Sequence, residues 1–276
     1  MGAFARQRGF TFLLVIVLLA SLGAIVVTGM LTALASTGKG EDLGRKFVRT
    51  QAALVAFVAE VGRLPCPANP ATDTGDEVRA SPTCTYPQGT LPWKALGLRR
   101  DDGYDPWGWK ISYRVYAGAA GSLTQDAHPD TDSCAIDAGA SMVCCDPTQT
   151  QGTSTANGTG DGGFCKKNNK TDPNNFLAGK GFSVNDFGAV RTGIAYVLIS
   201  HGPSGYGGYT AANMQVTSPT NANELANMSA TGTFVAAAAS ASTVSPDDPA
   251  HFDDIIAYAT VSDVISKAGR GARTWP

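Results

Sequence analysis

An uninterrupted run without charge, residues 10–38, constrains this chain more than any other feature of its sequence. About 20 apolar residues at about 1.5 Å rise cross the hydrocarbon core of a bilayer, so the run is long enough to span a membrane as a helix. Arg6 and Arg8 precede the run, and Glu41 and Asp42 follow it. The positive-inside rule therefore predicts a cytoplasmic N-terminus and an exported remainder.

Three interpretations of this segment are open. A secretory signal peptide would be cut after the A-x-A pattern at residues 33–35, leaving Ser36 first, but the apolar run exceeds the usual core of about 7–15 residues. An ordinary single-span anchor would stay uncut and begin at Met1. The third interpretation rests on residues 8–11, Arg-Gly-Phe-Thr, where a basic leader ending in Gly9 is followed at once by Phe10 and an apolar stretch.

This boundary resembles the prepilin leader of type IV pilins and type II secretion pseudopilins, over residues 6 to about 35. The resemblance implies that a prepilin peptidase cuts after Gly9 and that the new N-terminal Phe10 is methylated. The family usually carries Glu at the fifth mature position, where it pairs with the N-terminal amine of a neighbouring subunit, and this chain has Leu14 there. The family's tip pseudopilin and some tip-located minor pilins lack the same carboxylate, so Leu14 predicts a minor or terminal subunit.

An amphipathic helix is predicted to follow the uncharged run. Apolar residues recur at spacings of three, four and seven, which places them on one helix face: Leu43, Phe47, Leu54, Val58 and Val61. Gly62 and Pro65 then end the helix. In pilins this half of the long N-terminal helix lies on an antiparallel sheet.

The resemblance thus implies an α+β, pilin-like fold: a long N-terminal helix, membrane-spanning in its first half, packed on an antiparallel sheet that carries a disulfide-stapled, loop-rich insertion. The predicted segments are a leader (1–9), the transmembrane half of the helix (10–37), its amphipathic half (38–62) and an exported head (63–276). Residues 117–190, rich in small polar residues and cysteine, form the predicted insertion.

Several parts of the head have local signals of structure. The turn sequence Asp-Pro-Trp-Gly at 105–108 runs into an alternating strand at 111–116, a segment similar to the one that follows the helix in major pseudopilins. Residues 194–200 and 252–258 read as further strands, and 262–267 as a short helix that Gly269 ends. Residues 221–244 fit either a flexible arm or a packed Ala-rich helix.

Six cysteines predict a disulfide framework in an oxidising compartment. Fifteen pairings are possible for six cysteines. We favour Cys66 with Cys84, which closes the short loop after the helix, and Cys144 and Cys145 shared between Cys134 and Cys165. A zinc site formed by these cysteines is disfavoured because no C-x-x-C or neighbouring His accompanies them.

No catalytic site is visible in the sequence, and we expect no enzyme. The Gly-rich segment 201–209 is neither a nucleophile elbow nor a phosphate loop and is interpreted as a turn joining two strands. Pseudopilins can bind calcium near such a loop, but carboxylates here would have to come from Asp101, Asp102, Asp253 or Asp254. No other cofactor is predicted. His128, His201 and His251 are scattered among loops and are interpreted as exposed or hydrogen-bonded histidines.

The expected function is structural: a minor pilin or pseudopilin that primes or caps a filament extruded from the bacterial inner membrane, with its head in the periplasm. Its partners would be other pilin or pseudopilin subunits, the inner-membrane assembly platform and the prepilin peptidase. With 21 basic and 23 acidic residues, nucleic acid is not an expected partner.

Two other classes of function stay open. A tip adhesin or DNA-uptake pilin would need an exposed aromatic or basic patch, for which Arg99-Arg100 and the lysines at 166, 167 and 170 are the basic candidates. A signal-anchored periplasmic hydrolase would need a convergent nucleophile and base.

Overall fold

The computed structural model describes residues 38–80, 83–86, 88–117, 123–124, 135–136, 142–143, 181–229 and 232–269. The chain divides into two units, 1–45 and 46–276, and the described part of the first unit is helical. Among the described residues, no helix combines the length and the hydropathy that crossing a bilayer requires. The predicted span, 10–37, lies outside the described residues.

The first helix, α1, covers residues 38–61. The predicted apolar stripe is confirmed at four of its five positions, which are buried: Leu43, Phe47, Leu54 and Val58. Val61, in the last turn, is 38% exposed. The helix ends as predicted at Gly62, whose positive φ of 82° is accessible to glycine at little cost and whose N–H donates to the carbonyl of Val58.

The part of α1 within the second unit is tied to the head by polar contacts as well as by its apolar face. Gln51 Nε2 donates to the carbonyl of Tyr258 at 3.1 Å. Lys46 Nζ donates to the carbonyls of Asp101 and Tyr104 at 3.0 and 2.8 Å. Arg49 forms an ion pair with the buried carboxylate of Asp102. Two separate regions of the head therefore hold this helix in place.

The other elements follow in chain order. The strands are β1 (Arg79–Ala80), β2 (Thr83–Cys84), β3 (Gln88–Thr90), β4 (Ser112–Val115), β5 (Ala135–Ile136), β6 (Met142–Val143), β7 (Phe182–Asp186), β8 (Ala189–Ser200), β9 (Thr233–Ala236) and β10 (Ile255–Thr260). A 3-10 helix covers Arg100–Gly103, α2 covers Ala222–Met228 and α3 covers Val261–Lys267. The strands predicted at 111–116, 194–200 and 252–258 and the helix predicted at 262–267 correspond to β4, the end of β8, β10 and α3.

The main sheet has six strands in the order β3-β4-β8-β7-β9, with β10 also paired to β8. The pairs are antiparallel except β7 with β9, which is parallel. The fold is thus α+β as predicted, but the sheet is mixed and not purely antiparallel. The parallel pair arises because the chain runs from β8 through α2 before it returns beside β7, and parallel pairing requires such a crossover.

Strand β8 lies at the centre of the hydrophobic core. Its residues from Ile194 to Ser200 are fully buried, as a strand covered on both faces requires. Its apolar side chains form a cluster with those of the neighbouring strands: Val184, Ile194, Val197, Ile199 and Phe234, with Phe182, Ile256 and Tyr258 packed against them. The rings of Phe182 and Phe234 meet edge to face with their centroids 5.2 Å apart.

The predicted insertion, 117–190, extends too far along the chain, because β7 and the first residues of β8 belong to the main sheet. The chain leaves that sheet after β4 and re-enters it at β7. Tyr116 follows β4 directly and Phe182 begins β7. Their rings meet edge to face with the centroids 5.5 Å apart. Exit and return are therefore neighbours in space. Residues 221–244 form neither an arm nor one Ala-rich helix, since they contain α2 and β9.

The predicted disulfide between Cys66 and Cys84 is confirmed, with Cα atoms 5.3 Å apart. Glu77 lies inside the loop that this bridge closes. It accepts from both terminal guanidinium nitrogens of Arg63, just before the loop, at 2.8 and 2.7 Å, and from the Cys66 N–H at 2.9 Å. Burial of Glu77 opposes ionisation, but these hydrogen bonds prevail and lower the pKa of Glu77. Cys134, Cys144, Cys145 and Cys165 lie outside the described residues.

Replacing both Cys66 and Cys84 with Ser is expected to lower the free energy of unfolding by about 3 kcal/mol, because the unfolded chain gains the entropy of an open loop of this length. Denaturant unfolding of the full-length protein in detergent, without reductant, measures the difference. Thr85→Ser, an exposed substitution beside the bridge, serves as the control. A double variant within about 0.5 kcal/mol of wild type would show that the bridge adds no stability.

Candidate functional site

The Gly-rich loop that follows β8 is held against two other parts of the head. Gly202 has φ +57°, and a Cβ there would overlap the backbone carbonyl of Asp253. Gly205 has φ +70°, and a Cβ there would overlap the Trp109 ring. Glycine is therefore required by close approach as well as by backbone conformation. The prediction that this loop joins two strands is wrong, because the next element after it is the helix α2.

A chain of buried hydrogen bonds lies behind this loop. Ser112 Oγ, on β4, is 2.9 Å from His201 Nε2, and His201 Nδ1 is 3.1 Å from Asp254 Oδ1. An ionised carboxylate can only accept, so Nδ1 carries the proton of that bond. Asn227, on α2, donates Nδ2 to Asp254 Oδ2 at 3.0 Å and to the Val235 carbonyl at 2.9 Å. We call Ser112, His201, Asp254 and Asn227 the serine–histidine network.

The predicted Asp-Pro-Trp-Gly turn is anchored beside this network. Asp105 Oδ2 accepts a hydrogen bond from Ser200 Oγ at 2.7 Å, and Oδ1 accepts from the N–H groups of Trp107 and Trp109 at 3.0 and 2.9 Å. Burial raises the pKa of Asp105, although these hydrogen bonds oppose the rise. One carboxylate therefore closes the turn and joins it to the last residue of β8.

The serine–histidine network has the connectivity of a hydrolytic triad, in which an acid orients a histidine that activates a serine. Ser112 is 1% exposed and His201 is fully buried. A substrate carbonyl cannot reach Ser112 Oγ in this conformation. The arrangement instead satisfies polar groups where four segments of the chain meet, which is a structural role.

A second polar cluster involves one of the aspartates considered for calcium. Among the described residues, the one group of three or more acidic, His or Cys side chains with ligand atoms within 4.8 Å of one another is Glu224, His251 and Asp253. We call it the glutamate cluster. Burial, together with the charges of Asp254 and Asp253, raises the pKa of Glu224 to about 7, against the effect of the Asp253 N–H that donates to it.

The other calcium candidates have different partners. Asp102 pairs with Arg49 and accepts from the Arg99 N–H, while Asp254 belongs to the serine–histidine network. The Asp101 side chain is exposed. The structure therefore places these aspartates in separate environments, and only Asp253 joins a group with ligand geometry.

The remaining predicted site residues, Gly9, Phe10 and Leu14, lie outside the described residues. Neither polar cluster was predicted from the sequence, because the members of each are far apart along the chain. Ser112 and Asp254, for example, are 89 and 53 residues from His201. The sequence signal that could have indicated the first cluster is His201, a histidine directly after an apolar strand. No model of a known protein family, no curated protein and no solved structure matches this chain.

Ser112→Ala is expected to lower the free energy of unfolding by about 1–3 kcal/mol, because it leaves His201 Nε2 buried without its partner. Thermal or denaturant unfolding measures the loss. Ser262→Ala, the same change at an exposed position of α3, should stay within about 0.5 kcal/mol of wild type. Labelling of Ser112 in the native protein by a serine-reactive phosphonate would contradict its buried, structural role.

Proposed function

We propose that this chain is a structural subunit of a filament of the type IV pilus or type II secretion class, as a minor pilin or pseudopilin. The observation that carries the proposal is the packing of α1 on a sheet-based head, directly downstream of the uncharged run 10–38. A basic leader, an uncharged span, an amphipathic helix and a disulfide-containing α+β head follow one another in the order that such subunits require.

The contacts of α1 suit a subunit in which force on the N-terminal helix is transmitted to the head. The side chains of Phe47, Leu54 and Val58 are buried where the helix packs on the head. Full burial of each such side chain stabilises the fold by about 1.5–3 kcal/mol. Gln51 adds a hydrogen bond to β10. Arg49 also pairs with the buried carboxylate of Asp102, and this ion pair fixes the position of the helix along its axis relative to the head.

The disulfide supports an exported head. A cross-link between Cys66 and Cys84 persists in an oxidising compartment and is rare in the cytosol. The bridge begins at Cys66, shortly after the end of α1. It therefore stiffens the segment that connects this helix to the rest of the head. This agrees with a membrane-anchored subunit whose head folds in the periplasm.

Leu14 favours a terminal position in the filament. In the family, an incoming subunit offers a buried carboxylate to the N-terminal amine of the subunit already in place, and a carboxylate inside a membrane is retained where it has such a partner. A subunit with Leu14 cannot offer that group, although it can receive one. The first subunit to assemble never needs it and ends at the tip.

Cleavage after Gly9 with methylation of Phe10 is the first expected outcome. Gly9→Val should leave the precursor uncut in the membrane, because a branched side chain replaces the glycine at the scissile bond. N-terminal sequencing and intact mass of the purified protein measure processing. Gly2→Val, the same change within the leader, should be processed normally. A wild-type N-terminus at Ser36 or an uncut Met1 would contradict the proposal.

Leu14→Glu is expected to raise the number of copies of this subunit in isolated filaments, because it supplies the carboxylate that later subunits use to enter. Quantitative mass spectrometry against the major subunit gives the copy number. Leu14→Gln, of the same size but uncharged, is the matched control and should leave the count unchanged. Wild-type protein found at high copy along the filament shaft would contradict the tip position.

A further inference from the structure

The glutamate cluster joins two segments that are far apart in sequence. Glu224 comes from the first turn of α2, and His251 and Asp253 come from the segment that leads into β10. The side chain of Asn221, which caps α2, also donates to the carbonyl of Pro249 at 2.6 Å and so ties the two segments together. The three side chains are thus held by backbone that is itself anchored.

The distances within the cluster suit a small cation. The possible ligand atoms of Glu224, His251 and Asp253 lie within 4.8 Å of one another, and His251 Nε2 is 3.3 Å from Asp253 Oδ2. Ligand atoms about 2.0–2.2 Å from a tetrahedral zinc ion are about 3.3–3.6 Å apart. One pair already has that separation, and small side-chain rotations would bring the third atom into range.

Two buried polar atoms in the cluster lack a hydrogen bond. Glu224 Oε2 and His251 Nε2 have no partner with hydrogen-bond geometry, and Glu224 is 1% exposed. Each such atom costs about 1–3 kcal/mol when it is buried unsatisfied. A cation between them would satisfy both atoms at once.

The other atoms of the same side chains are oriented by hydrogen bonds, as they are around bound metals. Glu224 Oε1 accepts from the Asp253 N–H at 2.8 Å. The Asp253 carboxylate accepts from the N–H and the hydroxyl of Ser204 at 2.8 and 3.0 Å. His251 Nδ1 is 3.4 Å from Ser240 Oγ, which leaves Nε2 directed at the carboxylates.

Among the residues that the structure describes, no Lys or Arg pairs with the carboxylates of the cluster. In the described part of the chain, neither Glu224 nor Asp253 forms an ion pair with Lys or Arg, and Asp254 contributes a further negative charge nearby. Burying several carboxylates together is unfavourable, and either protonation or a bound cation relieves the repulsion. A divalent ion would therefore reduce the repulsion among Glu224, Asp253 and Asp254, whose charges are balanced within the cluster only by His251.

We propose that Glu224, His251 and Asp253 form a binding site for one divalent transition-metal cation, best represented by Zn²⁺, with water in the remaining position. The imidazole separates this site from a calcium site, because calcium takes six to eight oxygen ligands and transition metals accept nitrogen readily. Bound metal would fasten α2 to the segment before β10.

The test uses the full-length protein, purified in detergent without reductant and stripped of metal with a chelator. Calorimetric titration with ZnCl₂ and metal analysis after dialysis should give one Zn²⁺ per chain. Zinc at about 100 times its dissociation constant should raise the thermal midpoint by roughly 5–10 °C. Titration with CaCl₂ under the same conditions should give no saturable binding at this site.

Glu224→Gln separates a metal ligand from a merely structural residue. The variant keeps the size of the side chain and the acceptor for the Asp253 N–H, so it should fold and, without metal, be at least as stable as wild type. Its zinc affinity should fall by at least about 100-fold, since loss of an outer partner alone costs 10–100-fold. His251→Gln should behave in the same way.

Glu60→Gln, the same chemical change at an exposed position of α1, is the matched control and should bind zinc as wild type does. Absence of zinc binding at micromolar concentrations would overturn the proposal. Unchanged zinc binding by Glu224→Gln would also overturn it, because the metal would then be held elsewhere, for example by cysteines. Saturable calcium binding that Glu224→Gln abolishes, without zinc competition, would overturn the assignment to a transition metal.

Discussion

Burying strand β8 on both faces obliges the polar groups at its C-terminal end to find partners inside the protein. Ser200 meets this requirement through Asp105, and His201 meets it through Ser112 and Asp254. An unsatisfied buried polar group costs about 1–3 kcal/mol, so each of these pairs is needed where the strand is buried. The turn before β4, β4 itself and the segment before β10 are each fixed in place by the end of one strand. The arrangement of the head follows from that requirement.

The local parts of this structure could be predicted from sequence, and the long-range parts could not. The apolar stripe of α1, the strand at 194–200 and the disulfide from Cys66 to Cys84 each have a signal within a short stretch of chain, and each is present. The parallel pairing of β7 with β9 has no such signal, because it is decided by where the crossover through α2 returns. The two polar clusters were missed for the same reason: their members converge only when distant segments fold together.

Two consecutive residues, Asp253 and Asp254, connect the two clusters. Asp253 reaches Ser204 and the glutamate cluster, whereas Asp254 reaches His201 and Asn227. Both clusters also draw on α2, through Glu224 and Asn227. A displacement of this short helix would therefore disturb both sets of contacts. The Gly-rich loop, α2 and the start of β10 behave as one polar assembly around the end of β8.

The chain leaves the main sheet after Tyr116 and returns to it at Phe182, and the rings of these two residues touch. The main sheet thus holds the two ends of the intervening segment together, because β4 and β7 both pair with β8. The entropy of closing such a loop grows only with the logarithm of its length, at about 0.6 kcal/mol per doubling. Leu123 and Thr124, early in that segment, are buried, and the Leu123 carbonyl accepts from the Leu64 N–H at 2.7 Å, so these two residues belong to the core. Changes in chain length after Thr124 can accumulate over evolutionary time at a small cost in closure entropy. This is the point at which related chains could diverge in surface while keeping a common scaffold.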